Sequence, residues 1–263
     1  MKPFIYINNF ALPTYGLLVL TGFVAGVVFM VFNAKHRNIS KLDAFLLSLF
    51  CIIGALIGAY LLYIVLMLPD IINCIRINRT DLVRAVVFSG GLVYYGGVAG
   101  GFSGFYFYTS KYRINKTDSA DIIAPSLSLG HVFGRIGCFF AGCCYGVESE
   151  RFGIAFSESP IAPNGIKLLP VPLYEAAAEV LIAAISYFLM RKSKKGSAVF
   201  SYLLLYPAFR FIIEFWRGDK YRGIFFGLST SQWISIFVFT ASLLTLIFKS
   251  LKSQTKVEDR IEK

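Results

Sequence analysis

Apolar runs of about the length needed to cross a bilayer recur along this chain, separated by short polar clusters. They cover roughly 12–34, 44–68, 86–110, 121–141, 170–190, 198–217 and 227–248. In lipid only helices or closed barrels satisfy the backbone, and these runs are too long and too continuous for barrel strands. The pattern predicts an all-α, polytopic membrane protein with seven transmembrane helices. It is read as a single integral membrane domain over 1–263, with a charged cytoplasmic tail over 249–263. The first run follows a single lysine, Lys2, and shows no small-residue cleavage site, so it reads as a retained helix and not a removed signal peptide. The stretch 142–169, with Pro160, Pro163, Asn164 and Gly165, reads as an outer loop containing a turn.

Composition agrees. The chain is 56% hydrophobic with mean hydropathy +0.65, and 16% of its residues are charged, where a soluble domain carries roughly 25%. The net charge of +11 would suit nucleic acid if it were clustered. It falls instead in short loops between apolar runs, so membrane headgroups are the expected partner and nucleic acid is not. Loops 35–43, 111–120 and 191–197 and the tail hold 15 Lys and Arg, against 9 in the alternate set. The positive-inside rule then places the C-terminus in the cytoplasm and the N-terminus outside. Arg76, Arg79 and Arg84 run against this bias.

A few polar residues interrupt the apolar runs. Arg135 sits in the fourth, Arg210 and Glu214 in the sixth, and Tyr174 and Glu175 open the fifth. Charge in hydrocarbon is costly and usually faces a polar cavity. With the orientation above, these residues and Tyr15 lie in the outer half of the bundle, with Tyr94 and Tyr95 on the third span. Arg210, Glu214 and Arg217 share a helical face by spacing, as do His131, Arg135 and Cys138. An arginine presents a planar fork suited to phosphate. Two arginines at headgroup depth therefore point to a phospholipid headgroup site.

The third span is rich in glycine, including Gly90, Gly91, Gly96, Gly97, Gly100, Gly101 and Gly104. Such spacing allows close helix packing, or the close approach of a lipid at Gly96 and Gly97. Cys51 reads as a packing residue. His131 with Cys138, Cys143 and Cys144 forms H-x6-C-x4-C-C, which is not a standard zinc spacing. No metal or other cofactor is expected, and a disulfide from Cys74 to Cys143 or Cys144 stays open.

These same residues carry a family likeness. Gly134 to Gly146, GRIGCFFAGCCYG, resembles the signature of the prolipoprotein diacylglyceryl transferases, Gly-Arg-Leu-Gly-Asn-Phe followed by an Asn-Gly-Glu segment. Arg210 to Asp219, RFIIEFWRGD, is similar to the family's Arg-Phe-x-x-Glu-Phe-x-Arg motif. Tyr15-Gly16, the run GGLVYYGG from Gly90 to Gly97, Leu173-Tyr174-Glu175, and Gln232 with Ser235 match further pieces in order. The likeness covers about 12–248. It implies transfer of an sn-1,2-diacylglyceryl group from phosphatidylglycerol to the lipobox cysteine of a bacterial prolipoprotein, releasing glycerol-1-phosphate in the cytoplasmic (inner) membrane. Arg135 and Arg210 would grip the phosphate, with Glu214 holding Arg210. Tyr15, Gly96, Gly97, Gly134, Gly137, Cys138, Gly146, Tyr174, Glu175 and Arg217 would shape the substrate site.

The chain also departs from the family pattern. The usual Phe-His-Gly-Gly reads Tyr94-Tyr95-Gly96-Gly97, so Tyr95 stands where a base is expected. Cys138 and Cys143 replace the Asn and Glu of the signature. His131, Tyr95 or no side chain at all is then left to take the thiol proton. A phospholipid-using transferase with another acceptor and a non-catalytic phospholipid-binding or transport protein are the alternatives.

Overall fold

A computed structural model describes residues 3–7, 10–88, 91–219 and 223–261. Eight α-helices run through the described residues: α1 (Thr14–Asn33), α2 (Lys41–Arg76), α3 (Thr80–Phe88), α4 (Tyr94–Lys111), α5 (Lys116–Ala141), α6 (Val171–Lys192), α7 (Ser197–Ile213) and α8 (Thr230–Ile261). Three antiparallel hairpins accompany them: β1 (Phe4–Ile7) with β2 (Phe10–Pro13), β3 (Ile154–Ala155) with β4 (Lys167–Leu168), and β5 (Ile224–Phe225) with β6 (Leu228–Ser229). The protein is an all-α polytopic membrane protein.

Among the described residues six helical stretches are long and apolar enough to cross a membrane: Thr14–Arg37, Lys41–Arg76, Lys116–Ala141, Val171–Lys192, Ser197–Trp216 and Thr230–Leu251. The expected third span is the exception. It does not begin at 86. Residues Thr80–Phe88 form the separate helix α3, and α4 starts only at Tyr94. The glycines and tyrosines of α4 dilute its hydropathy, which is why it stands apart from the other six. The second span also differs, because its helix continues through Pro69 to Arg76. At 1.5 Å per residue α2 is about 54 Å long, well beyond a hydrocarbon core of about 30 Å. Gly90 and the side chains of the tail from Lys252 lie outside the described residues.

The chain divides into two compact units, Met30–Ser119 and the remainder, Met1–Phe29 with Ala120–Lys263. In the Met30–Ser119 unit, α2 and α4 pack backbone against backbone. A Cβ added at Gly58 would lie 2.3 Å from the Gly96 carbonyl oxygen, and one at Gly54 2.4 Å from that of Gly100. This is the small-residue packing that membrane helices use in place of a hydrophobic driving force. The Tyr108 hydroxyl donates to Asp43 Oδ1 at 3.0 Å, and Ser40 caps α2 by accepting from the Asp43 N–H. The hydroxyls of Tyr60 and Tyr63 donate to the carbonyls of Val87 and Val86, which fixes the end of α3.

In the other unit, α1 closes on α5 through glycine. A Cβ at Gly22 would sit 2.7 Å from the Gly130 carbonyl oxygen. Helices α6, α7 and α8 pack in sequence, and Ser186 and Ser201 join α6 to α7 at 3.0 Å. At one end of this unit the Asp121 carboxylate accepts from the N–H groups of Gly196 (2.7 Å) and Val199 (3.1 Å), capping α7. At the other end the segment after α5 meets those before α6 and after α7. Gly146 N–H donates to Leu169, Val147 N–H to Trp216, and Gly218 N–H to Tyr145. Helix α8 opens with a reciprocal capping box: Ser229 Oγ accepts from Gln232 N–H and the Gln232 side chain accepts from Ser229 N–H.

Candidate active site

Helices α5 and α6 run antiparallel and exchange charges at matching intervals. Arg135 Nη1 lies 2.9 Å from Glu175 Oε2. One turn earlier on α5 and one turn later on α6, His131 Nδ1 lies 2.9 Å from Glu179 Oε1. Ser128 donates to the other Glu179 oxygen, and the Tyr202 hydroxyl sits 3.4 Å from His131 Nδ1. Both carboxylates are buried, Glu175 at 3% and Glu179 at 2% exposure. The fourfold spacing on each helix puts each pair on a common face.

Glu175 is also the meeting point for α7. Arg210 Nη1 is 2.6 Å from Glu214 Oε2 and 3.5 Å from Glu175 Oε1, and Arg217 Nη1 reaches Glu175 Oε1 at 4.0 Å. Arg210 Nη2 donates to Ser231 Oγ at 3.1 Å, which ties it to α8. Three arginines therefore converge on one glutamate. The contacts at Glu175 are close, but the N–H directions miss its oxygens, so they are ion pairs without formed hydrogen bonds. Arg217 does not continue the helical face expected of it. Helix α7 ends at Ile213, a 3-10 turn covers Glu214–Trp216, and Arg217 is extended. Its guanidinium instead clasps Asp219 with two bonds, of 3.2 and 2.8 Å.

Arg135 differs from the other two arginines. Among the described residues only its Nη1 has a protein partner. The rest of its fork is available, in a largely buried setting, to a planar or tetrahedral anion.

Beyond α5 the chain turns back sharply. Gly142 (φ 70) and Cys144 (φ 60) both take left-handed backbone. The result brings the Sγ atoms of Cys138, Cys143 and Cys144 within 4.8 Å of one another, a convergence that linear spacing did not reveal. All five cysteines are free thiols. Donation from Cys138 and Cys143, with Arg217 and Arg135 nearby, holds the Cys144 thiol well below the usual thiol range. Its neighbour Cys143 is pushed up, because its own hydrogen bonds to Cys138 and Cys144 keep its proton in place. Tyr15, at the start of α1, packs on α5 beside Gly137: a Cβ there would lie 3.1 Å from its ring. It lies within electrostatic reach of the three thiols and Arg135.

The other expected residues separate by role. Gly134 borders open space. Gly146 is a packing position, where a Cβ would strike Leu169, Val171 and the Trp216 carbonyl. Tyr174 is half-exposed on the first turn of α6. Tyr95, Gly96 and Gly97 belong to the Met30–Ser119 unit, where Gly96 abuts Gly58 and Gly97 faces Ala55 and Ala59. The space beside those two glycines is taken by α2, so helix packing accounts for them, and lipid entry at that face is not needed to explain them. Gln232 serves α8 as a cap.

Sequence reasoning overlooked Glu179, Ser128, Ser231 and Asp219. The signal for Glu179 was present: it is a carboxylate inside the fifth apolar run, four residues after Glu175.

A family model described as prolipoprotein diacylglyceryl transferase matches residues 2–248. A phosphatidylglycerol–prolipoprotein diacylglyceryl transferase of Clostridium tetani (strain Massachusetts / E88) is 34% identical over 257 residues, covering 97% of this chain and 100% of the relative. One from Clostridium perfringens (strain 13 / Type A), bearing the same name with the suffix 2, is 29% identical over 94% of each chain. A third, from Clostridium botulinum (strain Loch Maree / Type A3), is 28% identical over 95% of this chain and 97% of its own.

Proposed function

The chain belongs to the prolipoprotein diacylglyceryl transferase family, and we propose that it transfers an sn-1,2-diacylglyceryl group from phosphatidylglycerol to the lipobox cysteine thiol of bacterial prolipoproteins. The acceptor sulfur, as thiolate, attacks the glycerol carbon that bears the phosphate. The carbon–oxygen bond breaks, and its electron pair leaves on the phosphate oxygen as glycerol-1-phosphate. The phosphate passes from one negative charge to two. Cations fixed in place before the reaction stabilise that change without reorganising.

Arg135 is the phosphate ligand in this reading, and its partly unengaged fork is the observation that carries it. Arg210, tied to Glu214, Glu175 and Ser231, adds the second positive charge and keeps its place when the substrate leaves. Glu175 and Glu214 are positioning residues, since they act through the arginines. His131 takes the thiol proton. Its contact with Glu179 at 2.9 Å orients the ring for that transfer. Tyr15 and Tyr174 border the headgroup. The enzyme works in the bacterial cytoplasmic (inner) membrane, with its N-terminus outside and its C-terminus in the cytoplasm.

The direct test is transfer of labelled diacylglycerol from phosphatidylglycerol vesicles to a prolipoprotein carrying the lipobox cysteine. Complementation of a strain depleted of its own transferase checks the same reading in cells. Release of glycerol-1-phosphate with a thioether-linked product is expected. Phosphatidylglycerol recovered unchanged after binding would refute the reading and favour a lipid-binding protein.

A further inference from the structure

We propose that Cys138, Cys143 and Cys144 bind a divalent thiophilic metal ion, zinc in the simplest case, with an open fourth position that takes the acceptor thiol. The inference rests on the diacylglyceryl transfer proposed above for the identity of that thiol. The metal site stands on its own geometry.

The three Sγ atoms lie within 4.8 Å of one another. Around a tetrahedral zinc with Zn–S bonds of about 2.3 Å, sulfurs sit about 3.8 Å apart. Rotamer adjustments of an ångström would close the three onto one ion. Neighbouring cysteines on an extended strand point to opposite sides, which argues against shared ligation. Here the left-handed backbone at Cys144, following that at Gly142, turns both side chains towards Cys138 on the last turn of α5.

Charge also matches. Three thiolates around a dication carry one net negative charge, and Arg135 and Arg217 stand beside them. Among the described residues no histidine, fourth cysteine or carboxylate joins the cluster. A site with three protein ligands and one open position is the arrangement of catalytic zinc, where a structural site would be closed by a fourth. The cysteines are partly exposed, so an incoming ligand can reach them.

The open position beside Arg135 suits a soft ligand that must lose a proton. A thiol bound to the ion becomes a thiolate; its proton leaves through the solvent that reaches the partly exposed cysteines, since His131 lies two turns back along α5 from Cys138 and outside the cluster. The bound sulfur keeps a lone pair for the glycerol carbon. No electrons are gained or lost by the metal, so zinc, which has no redox chemistry, meets the requirement.

The test uses the full chain in detergent under reducing conditions. Cobalt(II) replaces zinc as the probe, because sulfur ligation gives a near-ultraviolet charge-transfer band and a tetrahedral site gives strong visible bands. One cobalt per chain with both features is expected, displaced by zinc. Cys138→Ser, Cys143→Ser and Cys144→Ser should each weaken binding at least tenfold, and Cys74→Ser should leave it unchanged. A peptide carrying the lipobox cysteine should shift the cobalt bands, and its serine analogue should not. Wild-type protein that binds no cobalt while all its thiols titrate as free overturns the proposal, without relying on any variant to fold. So does cobalt that ignores the cysteine peptide, or full transfer activity in metal-free protein. In that last case the transferase reading survives alone. A cobalt site that takes the peptide thiol in a protein that transfers no diacylglycerol leaves the metal site standing and sinks the transferase reading.

Discussion

Arg135 and Arg210 carry the same charge but are held differently, and substitution should separate them. Arg210 has protein partners at both terminal nitrogens, whereas Arg135 offers an unengaged edge. A lysine in either place keeps the charge and loses the fork. Arg135→Lys should lower kcat/KM by more than tenfold, about 1.4 kcal/mol of transition-state stabilisation, with normal protein levels. Arg210→Lys should also lose activity but should in addition lower Tm, because its ties to α8 go with it. Rates near wild type in both lysine variants would remove the phosphate clamp. Glu175 sits under three arginines. Its replacement by Gln leaves them facing one another in a buried setting, where breaking one partner of an ion pair costs about 3–5 kcal/mol. Poor folding of Glu175→Gln, measured by size-exclusion profile and Tm, is expected. A variant as stable as wild type would show that the arginines repel less than their spacing implies.

The charged residues of this cluster were legible in the sequence because they interrupt apolar runs, and each such interruption has a physical cost that demands a partner. Their pairing was only partly legible. Helical spacing gave Arg210 with Glu214, but Arg135 with Glu175 depends on the register of α5 against α6, which no local pattern encodes. The cysteine cluster was hidden for a similar reason. Its geometry comes from two residues in left-handed backbone, one of them Cys144 itself, where no glycine marks the turn.

At the scale of elements, the glycines of α4 decide more than its hydropathy does. Long apolar runs announced α1, α2 and α5–α8, whereas α4 owes its place to packing on α2 and so was misjudged in extent. The break between α3 and α4 falls at a run that is apolar and glycine-rich throughout, so periodicity had no boundary to report. The short hairpins were unreadable for another reason: β3, β4, β5 and β6 have two residues each, too few to alternate. The α2–α4 interface gives its own prediction. Gly100→Leu would place a side chain against the Gly54 carbonyl, already 2.1 Å from an added Cβ. Overpacking costs about 1–3 kcal/mol, and more where backbone is the obstacle. A clear fall in Tm of the detergent-solubilised protein is expected, and Gly165→Ala supplies a local contrast. Gly165 has open space around it but a left-handed backbone, so its loss should be small and confined to the loop. A Gly100→Leu protein with unchanged Tm would mean that α2 and α4 do not pack as described.

For the whole molecule the remaining question is which face of the membrane the charged cluster opens to. In the unit containing α5 to α8, the Asp121–Gly196 contact lies at one end and the Gly146, Leu169 and Trp216 junction at the other. Arg217 and the cysteines belong to the junction end. The loops that hold most of the Lys and Arg include 191–197, at the Asp121 end. The positive-inside rule therefore predicts the Asp121 end on the cytoplasmic side and the junction end on the outside. A prolipoprotein emerging across the membrane would then meet the thiol site where its lipobox cysteine arrives. Two measurements check this together. A reporter fused to the C-terminus should be active only in the cytoplasm. In a Cys74→Ser, Cys138→Ser, Cys143→Ser background, which removes the other partly exposed thiols near that side and the metal site, a membrane-impermeant thiol reagent added to intact cells stripped of their wall should label Cys144, which is partly exposed at the junction end, and adding Cys144→Ser should abolish that labelling. A C-terminus reported outside, with Cys144 labelled only after the membrane is opened, would turn the protein over. The arginine cluster would then face the cytoplasm, and an acceptor delivered from the outer side could not be its substrate.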